Sequence, residues 1–360
     1  MQFNRGEWSE LYALLEILDN QNLNIVNDHL EIVDDSTFKI LGMYIQNSNN
    51  EYYLNINNLD VDVLKNNILH SNISKEEIKV YKEILLEKIL GESPSSGSFP
   101  IKEMKDILEK LTEGNKIKSS AERKEDLIAN LYDSRMNTVN KVGYSIKSSL
   151  GRPATLLNAS SHTNFKYKVI GLTSEDVEII NNINTNKKLL DRLKYITNKN
   201  CNIQFASVVS ESMNHNLKMI DSEMPELLAK ILLLSYEDDE KDLKKLLDMA
   251  ISKDIVKYNS NKELYYNKKI GDLLLAITLG MIPGTIWNGN YDVTGGIILV
   301  ENKGQVLVLD AIYYKEYLIK YLIKNTKLDS PSSTRYGMLD IYEEGREMYF
   351  NLNLQIRFKR

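Results

Sequence analysis

An aspartate and a lysine stand where a β-hairpin would bring them together. The segments DLIANLY (126–132) and VGYSIKS (142–148) are short, rich in apolar residues and joined by nine mostly polar residues, a pattern typical of two antiparallel strands. A turn centred in this linker pairs Asp126 with Lys147. Ser145, two residues before the lysine, points to the same face of its strand. The sequence therefore predicts a carboxylate, an ammonium and a hydroxyl on one side of a sheet.

Such a trio suits the metal-assisted hydrolysis of a phosphodiester. The carboxylate could hold Mg²⁺, a hard cation that takes oxygen ligands and keeps several waters. The metal would lower the pKa of a bound water and neutralise charge that develops on the phosphate. The ammonium would orient the water and stabilise the transition state. The same spacing also fits a plain cross-strand ion pair, worth under about 1 kcal/mol at a surface, and spacing alone does not decide between them.

A second acidic ligand would make a better magnesium site, and the hairpin has a serine where that acid could sit. Residues 6–19 carry apolar residues at helical spacing, which predicts an amphipathic helix. Glu7 and Glu10 share one side of it and could reach over the sheet. Glu122 and Glu125 precede the hairpin in a predicted loop and are further candidates.

The elements around the hairpin mix helix and strand. Helices are predicted over 6–19, 75–90, 101–113, 175–199 and much of 211–252. Strands are predicted over 202–210, in a second hairpin formed by GGIILVEN and QVLVLDAI, and in one long strand from Met348 to Phe358. We therefore predict an α+β fold with an α/β-type core. Three parts are expected: a helical region at 1–113 that contributes to the core, a catalytic and ligand-facing segment at 114–170, and a mixed α/β region at 171–360, a candidate second subdomain.

Composition describes a globular, intracellular type of chain. Its 360 residues are 42% hydrophobic and 26% charged, with a net charge of −5, which excludes a disordered protein. The single cysteine, Cys201, excludes an internal disulfide framework and a thiolate zinc cluster. The four histidines stand far apart, and the longest apolar stretch, 273–287, is broken by glycine and proline. With no apolar leader at the N-terminus, we predict a cytoplasmic protein that does not cross a membrane.

Charge is unevenly distributed along this acidic chain. Residues 114–170 contain ten Lys or Arg against four Asp or Glu, an excess of six positive charges in 57 residues. Such asymmetry can mark a face that binds a polyanion. A well-solvated surface is the alternative explanation.

Six blocks of sequence together resemble the HpaII-type restriction endonucleases. They are NRGEWSELYALL, KSSAERKEDL, VGYSIKSSLGRPATLLNASSHTNFKY, WNGNYDVTGGIILV, STRYG and YFNLNLQIRF, which span residues 4–358. The resemblance implies a type II restriction endonuclease with a PD-(D/E)XK-like core, in which helices flank a mixed central sheet. Such an enzyme uses Mg²⁺ to cut both strands of unmethylated DNA at a short palindrome. The namesake of the family cuts within CCGG, and specificity can drift among relatives.

The resemblance also assigns roles to individual residues. Asp126 matches the first acid of the core motif, and Lys147 matches its lysine. Ser145 stands where the motif usually has Asp or Glu, so the pattern here is D…SxK. Glu10 resembles the helical glutamate that serves as an additional ligand in many relatives. The catalytic set implied is therefore Asp126, Ser145, Lys147 and Glu10, with Asp126 and Glu10 as metal ligands.

DNA-contacting residues are expected mainly after the hairpin. Arginine reads guanine through two hydrogen bonds, so Arg152 and Arg335 are the first candidates for a site such as CCGG. The full set of candidates is Arg152, Asn158, Ser160, His162, Asn164 and Arg335. Many protein–DNA hydrogen bonds go to phosphate and sugar, and Asn and Ser also satisfy backbone groups in loops.

A palindromic substrate has consequences for the oligomeric state and the partners of the protein, and the serine at position 145 leaves alternative functions open. A two-fold substrate is most simply met by a homodimer, and a host of such an enzyme needs a DNA methyltransferase that marks the same site. Two other functions stay open on the sequence alone. One is a structure-selective repair nuclease or resolvase. The other is a catalytically inactive DNA-binding protein, which the serine at position 145 suggests.

Overall fold

The computed structural model describes residues 2–47, 50–93, 97–115, 117, 124–331 and 335–359. Its α-helices are α1 (Arg5–Asn20), α2 (Lys75–Gly91), α3 (Lys105–Thr112), α4 (Ser174–Asn182), α5 (Lys188–Asn198), α6 (Glu211–Ile220), α7 (Met224–Glu237), α8 (Leu243–Lys253), α9 (Lys262–Leu279) and α10 (Lys315–Asn325). Short 3₁₀ helices cover Lys102–Met104 and Ser161–Thr163.

The strands fall into two groups along the chain. The first is β1 (Phe3–Asn4), β2 (Ile25–Val26), β3 (Ile32–Asp34), β4 (Phe38–Asn47), β5 (Asn50–Ile56), β6 (Asp60–Lys65), β7 (Ile68–Ser74), β8 (Ser98–Phe99), β9 (Leu127–Asp133) and β10 (Thr138–Ser148). The second is β11 (Thr155–Leu157), β12 (Asn164–Ile170), β13 (Asn202–Val208), β14 (Gly296–Val300), β15 (Val306–Asp310), β16 (Thr326–Asp329), β17 (Tyr342–Glu344), β18 (Glu347–Asn353) and β19 (Gln355–Phe358).

A large mixed sheet occupies the centre of the molecule. Within the described residues it has ten strands, in the order β3-β2-β15-β14-β10-β9-β4-β5-β6-β7. Strand β10 pairs antiparallel with β9 and parallel with β14. Smaller sheets have the orders β13-β12-β18-β17, β11-β19-β16 and β1-β8. The predicted α+β fold, with a mixed central sheet flanked by helices, is confirmed.

Strand β14 forms a wall between two hydrophobic cores. Its sequence GIILV is buried at every position, as expected of an apolar run covered on both faces of a sheet. Ile297 and Leu299 belong to a core built mainly with the C-terminal helices. Ile298 and Val300 belong to a core built with α1, α2 and α3. Because β14 pairs with β10, both cores support the strand that carries Ser145 and Lys147.

Helix α1 is fixed at its start by a capping box. The Asn4 side chain accepts the Glu7 N–H at 3.0 Å, and the Glu7 carboxylate accepts the Asn4 N–H at 2.7 Å. This arrangement satisfies two amides that the first turn would leave unbonded. Trp8 and Leu11 are fully buried in the core. The Tyr12 hydroxyl donates to the carbonyl of Gly304 in the β14–β15 turn, so α1 is held against the centre of the sheet.

Several predicted elements are confirmed, and others need correction. The helices predicted at 6–19 and 75–90 match α1 and α2, and the second hairpin matches β14 and β15. The helix predicted at 175–199 is two helices, α4 and α5, and the stretch at 211–252 is divided among α6, α7 and α8. The region 1–113 is not only helical, because β2 to β7 lie between α1 and α2.

The single strand predicted from Met348 to Phe358 is wrong. The chain leaves one sheet after β18 and enters another at β19. Leu354 lies at the break, where its N–H donates to the Thr163 carbonyl at 2.9 Å. Buried apolar residues recur at every second position across the break, at Phe350, Leu352, Leu354, Ile356 and Phe358, which is why the sequence pattern looks like one strand.

Among the described helices, none combines the length and the apolar character that a membrane span needs.

Candidate active site

The register of the β9–β10 hairpin differs by two residues from the prediction. Leu127 pairs with Tyr144, and Asp133 pairs with Thr138, so the residue beside Asp126 is Ser145 instead of Lys147. The turn is centred one residue earlier than predicted. Its start is fixed by the Asp133 carboxylate, which accepts the backbone N–H of Arg135 at 2.9 Å.

The aspartate, serine and lysine nevertheless meet. The Ser145 hydroxyl donates to Asp126 Oδ2 at 3.0 Å and accepts from Lys147 Nζ at 2.7 Å. The Ile146 N–H donates to the same carboxylate oxygen at 2.8 Å. Lys147 Nζ lies 3.8 Å from Asp126 Oδ2. The predicted convergence therefore exists in the structure, with the serine as a bridge between the two charges.

The three side chains differ in burial: the hydroxyl is enclosed, and the two charged groups are accessible to a substrate. Ser145 is only 2% exposed, whereas the side chains of Lys147 and Asp126 are 20% and 26% exposed. The bridging hydroxyl is thus held inside the protein, and the charged groups reach solvent. Because an ammonium and a carboxylate are fixed on adjacent strands, little reorganisation is needed to stabilise charge on a bound phosphate.

A second lysine lies close to this cluster and was not among the predicted site residues. Burial and, to a smaller extent, the nearby Lys147 ammonium lower the pKa of Lys124 to about 8, although the carboxylates of Asp126 and Asp292 oppose this shift. The sequence offered one signal for Lys124, its place two residues before Asp126. It gave no local signal for Asp292, which lies far away in the chain.

Asp292 belongs to a segment that packs against the catalytic strand. Its carbonyl oxygen lies 2.9 Å from the position that a Cβ on Gly143 would occupy. The Gly143 N–H donates to the Thr294 hydroxyl, and the Gly295 N–H donates to the Gly143 carbonyl. A side chain at position 143 would clash with this backbone. The glycine therefore allows residues 292–295 to lie beside β10, two residues before Ser145.

The structure places Glu10 and Lys147 around a common cleft of about 500 Å³. Helix α1 is tied to the end of β10 by the Ser148 hydroxyl, which donates to the Ser9 hydroxyl at 2.9 Å. Asp126 lines a small cavity beside Leu14, one helical turn after Glu10. Asp126 thus lies beside the turn of α1 that follows the turn carrying Glu10.

The other acids considered in the sequence have different positions. Glu7 is engaged in the capping box of α1. Glu125 is buried beside Gly143. Glu122 lies outside the described residues. Glu10 therefore has the most suitable position among these four for a ligand near the cleft.

The described residues near Lys147 offer few acidic groups for a Mg²⁺ ion. Within the part of the chain that the structure describes, no three Asp, Glu, His or Cys side chains form a group that could hold a metal ion. Mg²⁺ is commonly bound through one or two carboxylates together with waters and substrate phosphates. Asp126 offers a hard oxygen donor at the end of the hairpin, and Glu10 offers another on the cleft that Lys147 lines. These residues fit such a site.

Three candidate DNA contacts are exposed beside the cleft or in the loop that follows it. Arg152 lines the cleft together with Lys147, and Asn158 is exposed in the loop after β11. His162 is exposed too, and its Nδ1 lies 3.3 Å from the Ser210 hydroxyl. These positions leave the three side chains accessible to a ligand.

Arg335 lies near the same loop although it is distant in sequence. The next residue, Tyr336, donates its hydroxyl to the carbonyl of Ala159 at 3.1 Å. Arg335 itself is exposed. The structure therefore brings Tyr336, in the described part of the STRYG segment, beside the loop around Asn158.

Asn164 and Ser160 have structural roles in this conformation. Asn164 is 8% exposed, accepts from the Asn353 amide at 2.7 Å and donates to the Tyr336 carbonyl at 3.3 Å. Ser160 caps the 3₁₀ helix in a reciprocal pair with Thr163. Asn164 is thus held inside the protein and Ser160 shapes the loop, and the DNA-binding roles of both residues stay predictions.

Comparison with known proteins places this geometry in a family. The model of the HpaII restriction endonuclease family matches residues 4–358. The type II restriction enzyme HpaII of Haemophilus parainfluenzae is 33% identical over 362 residues, which cover 99% of this chain and 98% of that protein. The chain belongs to the HpaII restriction endonuclease family. No solved structure matches it.

Three of the blocks that resemble the HpaII family lie around β10. The opening block forms α1 with Glu10, and the block VGYSIKS forms the end of β10 with Ser145 and Lys147. The block WNGNYDVTGGIILV brings Asp292 and strand β14 to the other side of β10. The segments typical of HpaII-family proteins therefore surround the candidate active site although they are far apart in sequence.

Proposed function

We propose that this HpaII-family chain is a Mg²⁺-dependent type II restriction endonuclease that makes double-strand cuts in unmethylated DNA at a short palindrome, with CCGG as the first site to test. The proposal rests on one observation above others. Lys147 is held beside Asp126 through the Ser145 hydroxyl, on adjacent strands and at the rim of a cleft. We also propose a PD-(D/E)XK-like core, in which β9 and β10 carry the motif and α1 supplies the additional glutamate.

The protein groups have distinct roles in this mechanism. The Lys147 ammonium contacts the scissile phosphate or the attacking water and stabilises negative charge in the transition state. Ser145 fixes the ammonium through its 2.7 Å hydrogen bond. The Ile146 N–H and the Ser145 hydroxyl orient the Asp126 carboxylate. Preorganisation of this kind lowers the barrier because the groups need not rearrange during reaction.

Asp126 and Glu10 would hold the metal, with the Ser145 hydroxyl as a further oxygen donor nearby. When bound, Mg²⁺ supplies charge neutralisation and a water of lowered pKa. Ser145 replaces the usual acidic residue of the motif on β10, and in this proposal the Glu10 carboxylate from α1 takes the place of that acid.

DNA recognition is proposed for the exposed residues beside the cleft. Arg152, Asn158, His162 and Arg335 are the candidates, with the arginines as guanine readers. A palindromic site favours a homodimer, and a cytoplasmic location and a methyltransferase of the same specificity complete the proposed system. The division at residues 113 and 170 is kept as a proposal for the organisation of the chain.

Cleavage of unmethylated plasmid tests the function directly. The purified protein is incubated with the plasmid and Mg²⁺, the fragment ends are sequenced, and Lys147→Ala is run beside it. We expect discrete ends that share one palindrome for the wild type and no cutting by the variant. Ends that share a palindrome other than CCGG would keep the mechanism and replace the specificity. Cutting confined to branched or nicked DNA would point to a repair nuclease or resolvase.

A DNA-binding protein without catalysis is the second candidate. It is favoured by the absence, among the described residues, of three acids grouped for a metal. Equal DNA retardation by wild type and Lys147→Ala, with no cutting by either across a Mg²⁺ titration, would support this alternative.

A further inference from the structure

A second cleft begins at the catalytic lysine and continues away from α1. Its volume is about 670 Å³. One wall is the end of β10 and the chain that follows it, including Ser148 and Arg152, and another is the end of α10 with Lys324. The rings of Tyr321 and Phe358, whose centroids are 6.1 Å apart, also line the cleft. The cleft therefore leads directly from Lys147 to surfaces that carry positive charge.

The two walls each present an exposed cation. Arg152 and Lys324 are exposed, and neither forms an ion pair with another residue that the structure describes. Lys324 Nζ lies 3.1 Å from His29 Nδ1. A third cation, Lys359, is already paired with Asp242. The charges on Arg152 and Lys324 are thus the ones most open to an anionic ligand.

Acidic groups in this cleft offset only part of the positive charge. Asp28 and Glu301 also line it. Burial raises the pKa of Glu301 above its ordinary value, because a carboxylate removed from water favours its neutral form. The Asp28 carboxylate lies 3.6 Å from His29 Nε2, on the same wall as Lys324.

We propose that Lys324, which lines the same cleft as Arg152, binds backbone phosphates of the DNA strand that flanks the cleavage site. This inference rests on the proposed endonuclease function. The cleft shares Lys147 with the active site, so a strand whose scissile phosphate meets Lys147 continues into it. Phosphates recur regularly along a strand, and cations on two separate walls suit such a repeated charge better than a single small anion. The contact would position the duplex and carry no base specificity.

Replacement of Lys324 by glutamine tests the contact through the salt dependence of binding. Each phosphate contact contributes about 0.9 to the slope of log affinity against log salt for duplex DNA. We expect Lys324→Gln to lower the magnitude of that slope by about 0.9. The variant should lose affinity for cognate and non-cognate duplexes equally. Binding is measured without divalent metal on a duplex that extends well beyond the palindrome.

The matched control is Lys320→Gln. Lys320 lies on the same helix, is exposed and pairs with Glu316, but it does not line the cleft. We expect its slope to equal that of the wild type. Lys324→Arg, which keeps the charge, should restore the wild-type slope and guards against a loss of folding in the glutamine variant.

Two results separate failure of this inference from failure of the proposed function. A wild-type protein that binds and cuts DNA, with an unchanged slope in Lys324→Gln, would overturn the role of Lys324 and keep the endonuclease. A wild-type protein that binds no duplex would remove both. On a duplex shortened to the palindrome, the wild type and Lys324→Gln should have the same slope of log affinity against log salt. A slope that still differs between them would contradict a contact with flanking DNA.

Discussion

Removal of the bridging hydroxyl in Ser145→Ala gives the sharpest test of how the site is held together. The hydroxyl makes two hydrogen bonds to charged partners, at 3.0 Å to Asp126 and 2.7 Å to Lys147. Bonds to charged groups contribute about 1.5–3 kcal/mol each. Asp126 keeps the N–H of Ile146 and Lys147 keeps its 3.8 Å approach to the carboxylate. We therefore expect the barrier to rise by about 2 kcal/mol, or roughly 30-fold in rate.

The rate is measured in a single turnover, with enzyme in excess over a labelled cognate duplex and with saturating Mg²⁺. Binding is measured separately, without divalent metal, and should change little. Ser148→Ala is the matched control, because Ser148 lies on the same strand but bonds to Ser9 on α1. Its cutting rate should stay within a few-fold of wild type.

Two results would refute the reasoning. Cutting by Ser145→Ala at the wild-type rate would mean that the bridge does not position Lys147. A loss as large as that of Lys147→Ala would mean that the Ser145 hydroxyl takes part directly in the reaction.

The remaining predictions concern the charged groups. Lys147→Ala should lower the single-turnover rate by at least about 10²-fold and leave gel-shift affinity unchanged. Glu10→Gln should raise the Mg²⁺ concentration for half-maximal cutting by about tenfold. The control Glu7→Gln should only lower the free energy of unfolding, by about 1 kcal/mol. If Glu10→Gln needs the same Mg²⁺ concentration as the wild type, the additional metal ligand is another residue. Although burial raises it, hydrogen bonds from Thr37 and neighbouring amides lower the pKa of Asp34 to about 2. The resulting stability, of order 2 kcal/mol, is present above about pH 4 and is lost as the pH falls toward 2. Urea unfolding of Asp34→Asn should show a flatter dependence on pH in that window.

The meeting of Asp126, Ser145 and Lys147 was predictable from the sequence even though the register of the hairpin was not. The predicted pairing of Asp126 with Lys147 places the turn centre one residue too late, because Asp133 accepts the N–H of Arg135 and starts the turn early. An error of one residue in the centre shifts the register by two. A shift by an even number keeps every side chain on the same face, so Asp126, Ser145 and Lys147 still meet.

The contributions from distant segments could not be predicted in the same way. Asp292 reaches the site because Gly143 lets its backbone lie against β10, and local sequence around Asp292 does not specify that contact. Asn164 looks like a surface residue in a polar loop. Its burial depends on Asn353 and Tyr336, which are about half the chain length away.

The fold shows the same division between local and long-range signals. Hairpin β14–β15 has continuous apolar strands and a short turn, so its sequence identifies it. Strands β5 and β6 contain several Asn and Asp residues, which are depleted in strands. They exist because β4 pairs with β9, some 85 residues further along the chain, and the meander then extends from that edge.

A serine at position 145 also changes how metal and DNA binding are related. With an acid there, two carboxylates would face one ammonium. With serine, Asp126 and Lys147 balance each other, and Lys124 adds positive charge nearby. A divalent cation gains little at such a site until a phosphate brings further negative charge. We therefore expect Mg²⁺ and DNA to bind cooperatively, with a coupling of about 1–3 kcal/mol that is equal in both directions.

Calorimetric titration of Mg²⁺ with and without a non-cleavable cognate duplex measures this coupling. Ser145→Asp should reduce the coupling by restoring the acid, and equal Mg²⁺ affinity in the two wild-type titrations would show that the charge of the site does not link the two ligands.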